Sequence, residues 1–196
     1  MLSKTLTSAT YGIDAYLVEV ETHVEKQIPG FIIVGLPDNA VRESRERVIA
    51  AIKNSNIKFP LKKFTINLAP ADIKKEGSSF DLAIAIGILA AEELVSDKFL
   101  SDSVFLGELS LDGTLRHIKG ALPIAVESKK MGIKRIILPK ESANEAAIVD
   151  GIDVYGFENL TEVISFLNED SNPEKTFTDK QDLFSSINSY LHDFSD

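Results

Sequence analysis

Cysteine and tryptophan are both absent from the 196 residues. Without thiols there is no disulfide and no thiolate metal site, and a reducing compartment is permitted. Long apolar runs are missing too. The longest, Leu82 to Ala91, is about half of a bilayer-spanning helix, and the opening MLSKTLTSATYGID lacks the apolar core of a secretory signal. A cytoplasmic chain with no membrane partner is the expectation. No GxxxxGK[ST] loop occurs, so nothing in this chain cradles the phosphates of ATP. Histidine is scarce: His23, His117 and His192 lie far apart with no carboxylate at ligand spacing. That argues against a metal site and against a Ser-His-Asp triad.

Positive charge is in deficit, with a net charge of −9, which on its face disfavours nucleic acid. What there is of it is concentrated. Between Arg42 and Lys75, nine basic residues stand against three acids, a local +6 that leaves −15 on the rest. Such a run is either an ordinary solvated face or a patch that meets phosphates or a partner. The candidates for nucleic-acid contact are Arg42, Arg45, Lys62, Lys63, Lys74 and Lys75. Phe64 and Phe80 fall in apolar patterns and read as core, so no aromatic-rich strand offers itself for base stacking.

At 44% hydrophobic, the chain can bury one main core. Residues 3–11 and 13–24 alternate apolar and polar around Gly12, which reads as a hairpin. FIIVGL at 31–36 is a short apolar strand. In DNAVRESRERVIAAIKNS, Val41, Val48, Ile49 and Ile52 share one helical stripe, with Asp38 or Asn39 as the cap. KKFTINLAP at 62–70 alternates again. From Phe80 to Leu94 the sequence is apolar nearly all round, the mark of a buried helix. SVFLGELSLDGTLRHI carries a strand and an Asp112-Gly113 turn. After it come a helix at 121–132, a strand at 135–139, a helix at 141–149, a strand at 153–157 and a helix at 160–167. This order predicts parallel strands with crossover helices, in a two-layer α/β fold with a mixed sheet.

From Asn168 the composition turns polar and acidic. Residues 1–168 are expected to form the domain and 169–182 a linker; LFSSINSYL at 183–191, within 183–196, has apolar residues at helical spacing.

KKEGSSFDLAIAIGILA at 74–90 raises the question of a nucleophile, because free N–H groups in a first helical turn serve an oxyanion or a capping hydroxyl equally well. The order of strand, Gly-Ser-Ser, buried helix, GELSLDGTLRHIKGAL, helix and RIILP resembles the proteolytic domain of Lon and the Lon-like domain of RadA, with the ribosomal S5 domain 2-like fold. That resemblance implies a Ser-Lys dyad, with Ser79 at the serine position and Leu122 where the lysine belongs. Leucine cannot take a proton, and Lys119 lies ahead of the helix. The dyad therefore reads as degenerate, and Ser78 or Ser79 as a helix cap.

IVGLPDNAVRESRERVIAAIKNS, FTINLAPADIKKEGSSFDLAIAIGILAAEEL, FLGELSLDGTLRHIKGALPIAVESKK and ILPKESANEAAIV together resemble, over about residues 4 to 167, the N-terminal domain of the ComM/YifB family of magnesium-chelatase-like AAA+ ATPases. In that family the position of Ser79 is commonly arginine. The resemblance implies a non-catalytic N-terminal domain of a hexameric DNA helicase acting in branch migration and natural transformation. ATP and Mg would then belong to a missing AAA+ module that begins beyond residues 183–196. The expected roles are DNA contact through the basic segment, ring assembly through packing of the charged helix RESRER on a neighbouring subunit's acidic surface, a residual Ser-Lys peptidase through Ser79 and Lys119, and protein recruitment, for which no short peptide groove is legible in the sequence.

Overall fold

A computed structural model describes residues 1–178. Alternation makes the strands. Leu2–Tyr11 (β1) and Asp14–Glu25 (β2) pair antiparallel, Tyr11 opposite Asp14, through a turn in which Gly12 takes φ +64°. Gly30–Val34 (β3) leads into the helix Asn39–Asn54 (α1) and back to Lys63–Ala69 (β4), which lies parallel to β3. Phe64, Ile66 and Leu68 of β4 all point inward and are fully buried. Asp81–Ala91 (α2) crosses to Ser103–Phe105 (β5), parallel to β1. Ala121–Lys130 (α3) links β5 to Arg135–Pro139 (β8), and Lys140–Ala146 (α4) links β8 to Asp153–Phe157 (β9). Leu160–Leu167 (α5) follows β9. These three strands are parallel, as the alternating strand and helix order required.

The result is one seven-stranded mixed sheet in the order β3-β4-β2-β1-β5-β8-β9. α1, α2 and α5 pack on one face around a core that includes Val48, Ile52, Ile84, Ile88 and Phe166. α3 and α4 cover the other face towards the β9 end, around Val104, Ile124, Ile136 and Ala143. Over β1, β2 and β4 that second face carries Lys4, Glu19, Glu21 and Asn67, which pair across strands. A separate hairpin, Glu108–Leu109 (β6) with Leu115–Arg116 (β7), turns at Asp112-Gly113, where the Asp112 carboxylate accepts from Thr114 N–H.

α2 is apolar all round because it is buried all round; every residue from Asp81 to Leu89 is inaccessible. It stops at Ala91, three residues short of the expected end. Leu94 N–H bonds back to Leu89 C=O and Glu93 N–H to Ala90 C=O, with Glu93 at φ +58°. That is the left-handed helix terminus usually built on glycine. α4 likewise ends at Ala146 rather than Val149, because Val149 N–H folds onto Ala146 C=O on the way to Gly151.

Residues 169–178 contain no helix or strand. Thr176 N–H bonds Val154 C=O at 2.8 Å, and Lys175 pairs with Asp153 at 2.8 Å, so this stretch lies along β9. The expected helical segment 183–191, the end of the linker and His192 lie outside the described residues. No helix among the described residues is long and apolar enough to cross a membrane.

Candidate functional site

The Gly-Ser-Ser stretch sits where β4, α1 and the β6–β7 hairpin converge on the start of α2. Gly77 turns the chain at φ +89° and donates its N–H to the Asp38 carboxylate at 3.3 Å. Asp38 is also the cap of α1, accepting from Val41 N–H at 2.8 Å. The capping expected of Ser78 or Ser79 does not occur. Phe80 is the cap residue, its backbone is already helical, and no side chain bonds the first turn. The serine hydroxyls therefore lie too far upstream to meet those N–H groups. Gly107 serves the turn instead: its C=O accepts from Leu82 N–H at 3.1 Å, and its N–H donates to Ser79 C=O at 3.0 Å. Ser78 donates its hydroxyl to the Glu108 carboxylate.

Ser79 Oγ makes no side-chain hydrogen bond among the described residues, and Lys119 is exposed. Leu122 belongs to α3 on the opposite face of the sheet from α2, where its N–H bonds the Glu145 carboxylate at 2.9 Å. The three positions of the degenerate dyad are thus not in contact. His117 Nδ1 lies 3.0 Å from Ser142 Oγ, and His23 3.6 Å from Glu25, so neither histidine meets a serine of the Gly-Ser-Ser stretch. Among the described residues no group of His, Asp and Glu is arranged to hold a metal.

What the start of α2 does hold is a buried ion pair. Asp81 is inaccessible, and Arg47 of α1 reaches it with Nε to Oδ2 at 2.6 Å and a second N–H to Oδ1 at 3.0 Å. Leu109 N–H adds a third bond at 3.1 Å. Burial pushes the Asp81 carboxyl up, with Arg47 and the Leu109 amide pulling against it, while the Asp81 hydrogen bond holds the Arg47 guanidinium above its ordinary range. One pair therefore ties α1, α2 and the β6–β7 hairpin together. Arg47, one of the nine cations of the basic segment, is thus an internal partner and not a surface charge, and Asp81 carries no signal of this in the sequence.

The six nucleic-acid candidates do not form one patch. Arg42 is one turn from Asp38, and the Asp38 N–H bonds Lys75 C=O at 3.0 Å, so Arg42 and Lys74 lie near the α1 N-terminus. Lys62 and Lys63 lie at the far end of β4, a strand about 20 Å long. Lys62 is already held by Glu92 at 2.7 Å, with Glu92 largely buried, and Lys63 by Glu25 at 3.2 Å. Lys74 pairs with Glu76 at 2.7 Å and Arg45 with Glu46 at 3.4 Å, both exposed contacts worth little in water. Arg42 has no acidic partner among the described residues, and neither has Lys75, whose ammonium bonds backbone carbonyls instead.

Lys75 is a correction. It is fully buried, and its ammonium donates to the carbonyls of Pro70 and Ile73, the latter at 2.7 Å. The loop from 70 to 75 closes over it, and a phosphate cannot reach it. Burial lowers its pKa below the ordinary 10.5. Folded protein then binds fewer protons at this site than unfolded chain in the window just below 10.5, so its contribution to stability grows as pH rises through that window. Comparing thermal unfolding of wild type and Lys75→Met across that window, the stability gap in favour of wild type is expected to widen with pH.

The fold and this site define a mixed α/β module whose glycine-serine turn opens onto a buried, ion-paired helix. The chain belongs to the family described as subunit ChlI of Mg-chelatase, which matches residues 20–142. It is similar to the Competence protein ComM of Haemophilus influenzae, with 42% identity over 160 residues, 82% of this chain and 31% of that protein. It is also similar to the Uncharacterized protein YifB of Escherichia coli, with 43% identity over 166 residues, 85% of this chain and 33% of that protein. Lon protease 2 of Bacillus subtilis shares 30% identity over 125 residues, 62% of this chain and 22% of that protein. The chain spans about a third of the length of ComM and YifB.

Proposed function

We propose that this chain is the non-catalytic N-terminal module of a longer ComM-like AAA+ ATPase, and that it serves the assembly of that motor rather than its grip on DNA. ATP and Mg are then the business of the module this chain lacks. So is the DNA work that the resemblance to ComM implies, branch migration in a hexamer during transformation. The observation that carries this reading is the fate of the basic segment. Arg47 is spent on Asp81, Lys75 on two carbonyls and Lys62 on Glu92, while Arg42 and Lys74 stand near the start of α1 and Lys63 at the other end of β4. Affinity for a polyphosphate needs several cations that reach it together. Ser79, with no base beside it, is a weak nucleophile.

The test is the longer protein with and without residues 1–168, weighed by mass photometry in the presence of ATP. Loss of the hexamer on removing the module is the expected result. Hexamers that form equally well without it contradict the reading.

A further inference from the structure

The sheet has two edges, and they are treated differently. Along β9 the chain's own residues 175 and 176 make contact, Thr176 N–H with Val154 C=O and Lys175 with Asp153. Along β3 nothing lies among the described residues. Gly30 N–H points to the C=O of Lys62, just ahead of β4, at 3.3 Å. In a parallel ladder the amides of Ile32 and Val34 follow it towards β4, which leaves the N–H and C=O of Phe31 and Ile33 facing outward, unpaired. The side chains of Ile32 and Val34 are 47% and 41% exposed on one face, flanked by Ile28 at 88% and Leu36 at 53%. Bare edges are ordinarily blunted by a lysine, a proline or a bulge. From Gly30 to Leu36 this one has no charge, no proline and full pairing with β4 up to Val34.

We propose that the β3 edge is a homotypic interface, in which two copies of this chain pair their β3 strands antiparallel about a two-fold axis at Ile32. The strand is complementary to itself in that register. Phe31 and the partner's Ile33 exchange both free backbone bonds, and the symmetric pair does the same, so all four outward groups are satisfied. Gly30 falls opposite the partner's Val34, leaving room for the branched side chain. Ile32 meets the partner's Ile32, and the four exposed side chains of Ile32 and Val34 form one apolar cluster. No like charges are brought together. A contact of four backbone bonds and a few side chains is small, so the dimer is weak and concentration-dependent in the isolated chain, and gains from tethering in a longer assembly. This deepens the assembly reading by naming the partner as a second copy, and the test below reads the strand contact itself, whatever becomes of the hexamer.

The absence of native cysteine makes the register directly testable. Ile32 and the partner's Ile32 would form a non-hydrogen-bonded pair with Cα atoms about 4.5 Å apart, within disulfide reach. In the 196-residue chain with oxidised glutathione as oxidant, Ile32→Cys is expected to form a covalent dimer about tenfold or more faster than Ile13→Cys, since pairing raises the local thiol concentration. Ile13 is a suitable control because it is 90% exposed in the hairpin turn, away from β3. Adding Val34→Lys to Ile32→Cys should abolish the advantage while leaving the thermal unfolding midpoint within a degree or two, as for an exposed substitution. Equal rates for Ile32→Cys and Ile13→Cys, or a rate that Val34→Lys leaves untouched, overturn the proposal.

Discussion

Arg47→Ala is expected to cost about 3–5 kcal/mol of stability, the range for removing one partner of a buried ion pair. At about 2–4 °C per kcal/mol for a chain of this size, the unfolding midpoint falls by on the order of 10 °C. The reason is what remains: Asp81, inaccessible, with the Leu109 amide as its last partner. An unpaired buried carboxyl takes up a proton, so its pKa rises further above the unfolded value. The folded variant then binds more protons than the unfolded chain, and its stability falls as pH rises through that window. The deficit relative to wild type should therefore shrink as the solution is acidified. Arg47→Met combined with Asp81→Leu removes both charges and is expected to recover most of the loss. Calorimetry of the single and double variants checks this. If the single variant loses less than about 1 kcal/mol, the pair behaves like a surface contact and the account of the α1–α2 junction is wrong.

Gly35→Ala is expected to be comparably damaging, by about 3 kcal/mol or more, for a different reason. Gly35 has φ +96°, and a Cβ there would stand 2.2 Å from the carbonyl oxygen of Leu68. The chain leaves β3 at this point, close against the Leu68 backbone of β4, on its way to α1. Left-handed strain alone costs about 1–3 kcal/mol, and overpacking against a backbone that cannot move aside adds a similar amount. Gly132→Ala separates the two terms: φ is +78°, yet nothing lies within 4 Å of the added carbon. Chemical denaturation of both variants should show the larger loss at Gly35. Equal losses would mean that strain alone governs both positions.

Much of the fold was legible because burial leaves a period in the sequence. Phe64, Ile66 and Leu68 on one side of β4, and Val41, Val48 and Ile52 on one stripe of α1, name their elements without any tertiary knowledge. The C-terminus of α2 was not legible, because Glu93 occupies a left-handed position where glycine is the usual signal. The cap of α2 misled for the same kind of reason: Ser78 and Ser79 are good capping residues, but helical backbone at Phe80 places them outside capping reach. Least legible were the ion pairs. Arg47 and Asp81 are 34 residues apart, Lys62 and Glu92 30 apart, and a count of charges within one window cannot see a partner supplied by another helix. Lys75 defeats the ordinary expectation that lysine is exposed. A buried lysine between two carbonyls leaves no signature distinct from a solvated one.

The central proposal is that Arg47, Lys62 and Lys75 are committed to this molecule's own fold and that the cations left over do not together hold DNA. Fluorescence anisotropy of the 196-residue chain with single-stranded, duplex and forked DNA, across a salt titration, tests it directly. The comparison is wild type against the combined Arg42→Glu, Arg45→Glu and Lys62→Glu variant. The account predicts, at physiological salt, binding no tighter than the weak end of non-specific association, a Kd of about 10⁻⁴ M or weaker, with no difference between the two proteins. Tight binding to wild type that falls steeply with salt and disappears in the variant would contradict it, and would return the segment to the role of a phosphate-binding surface.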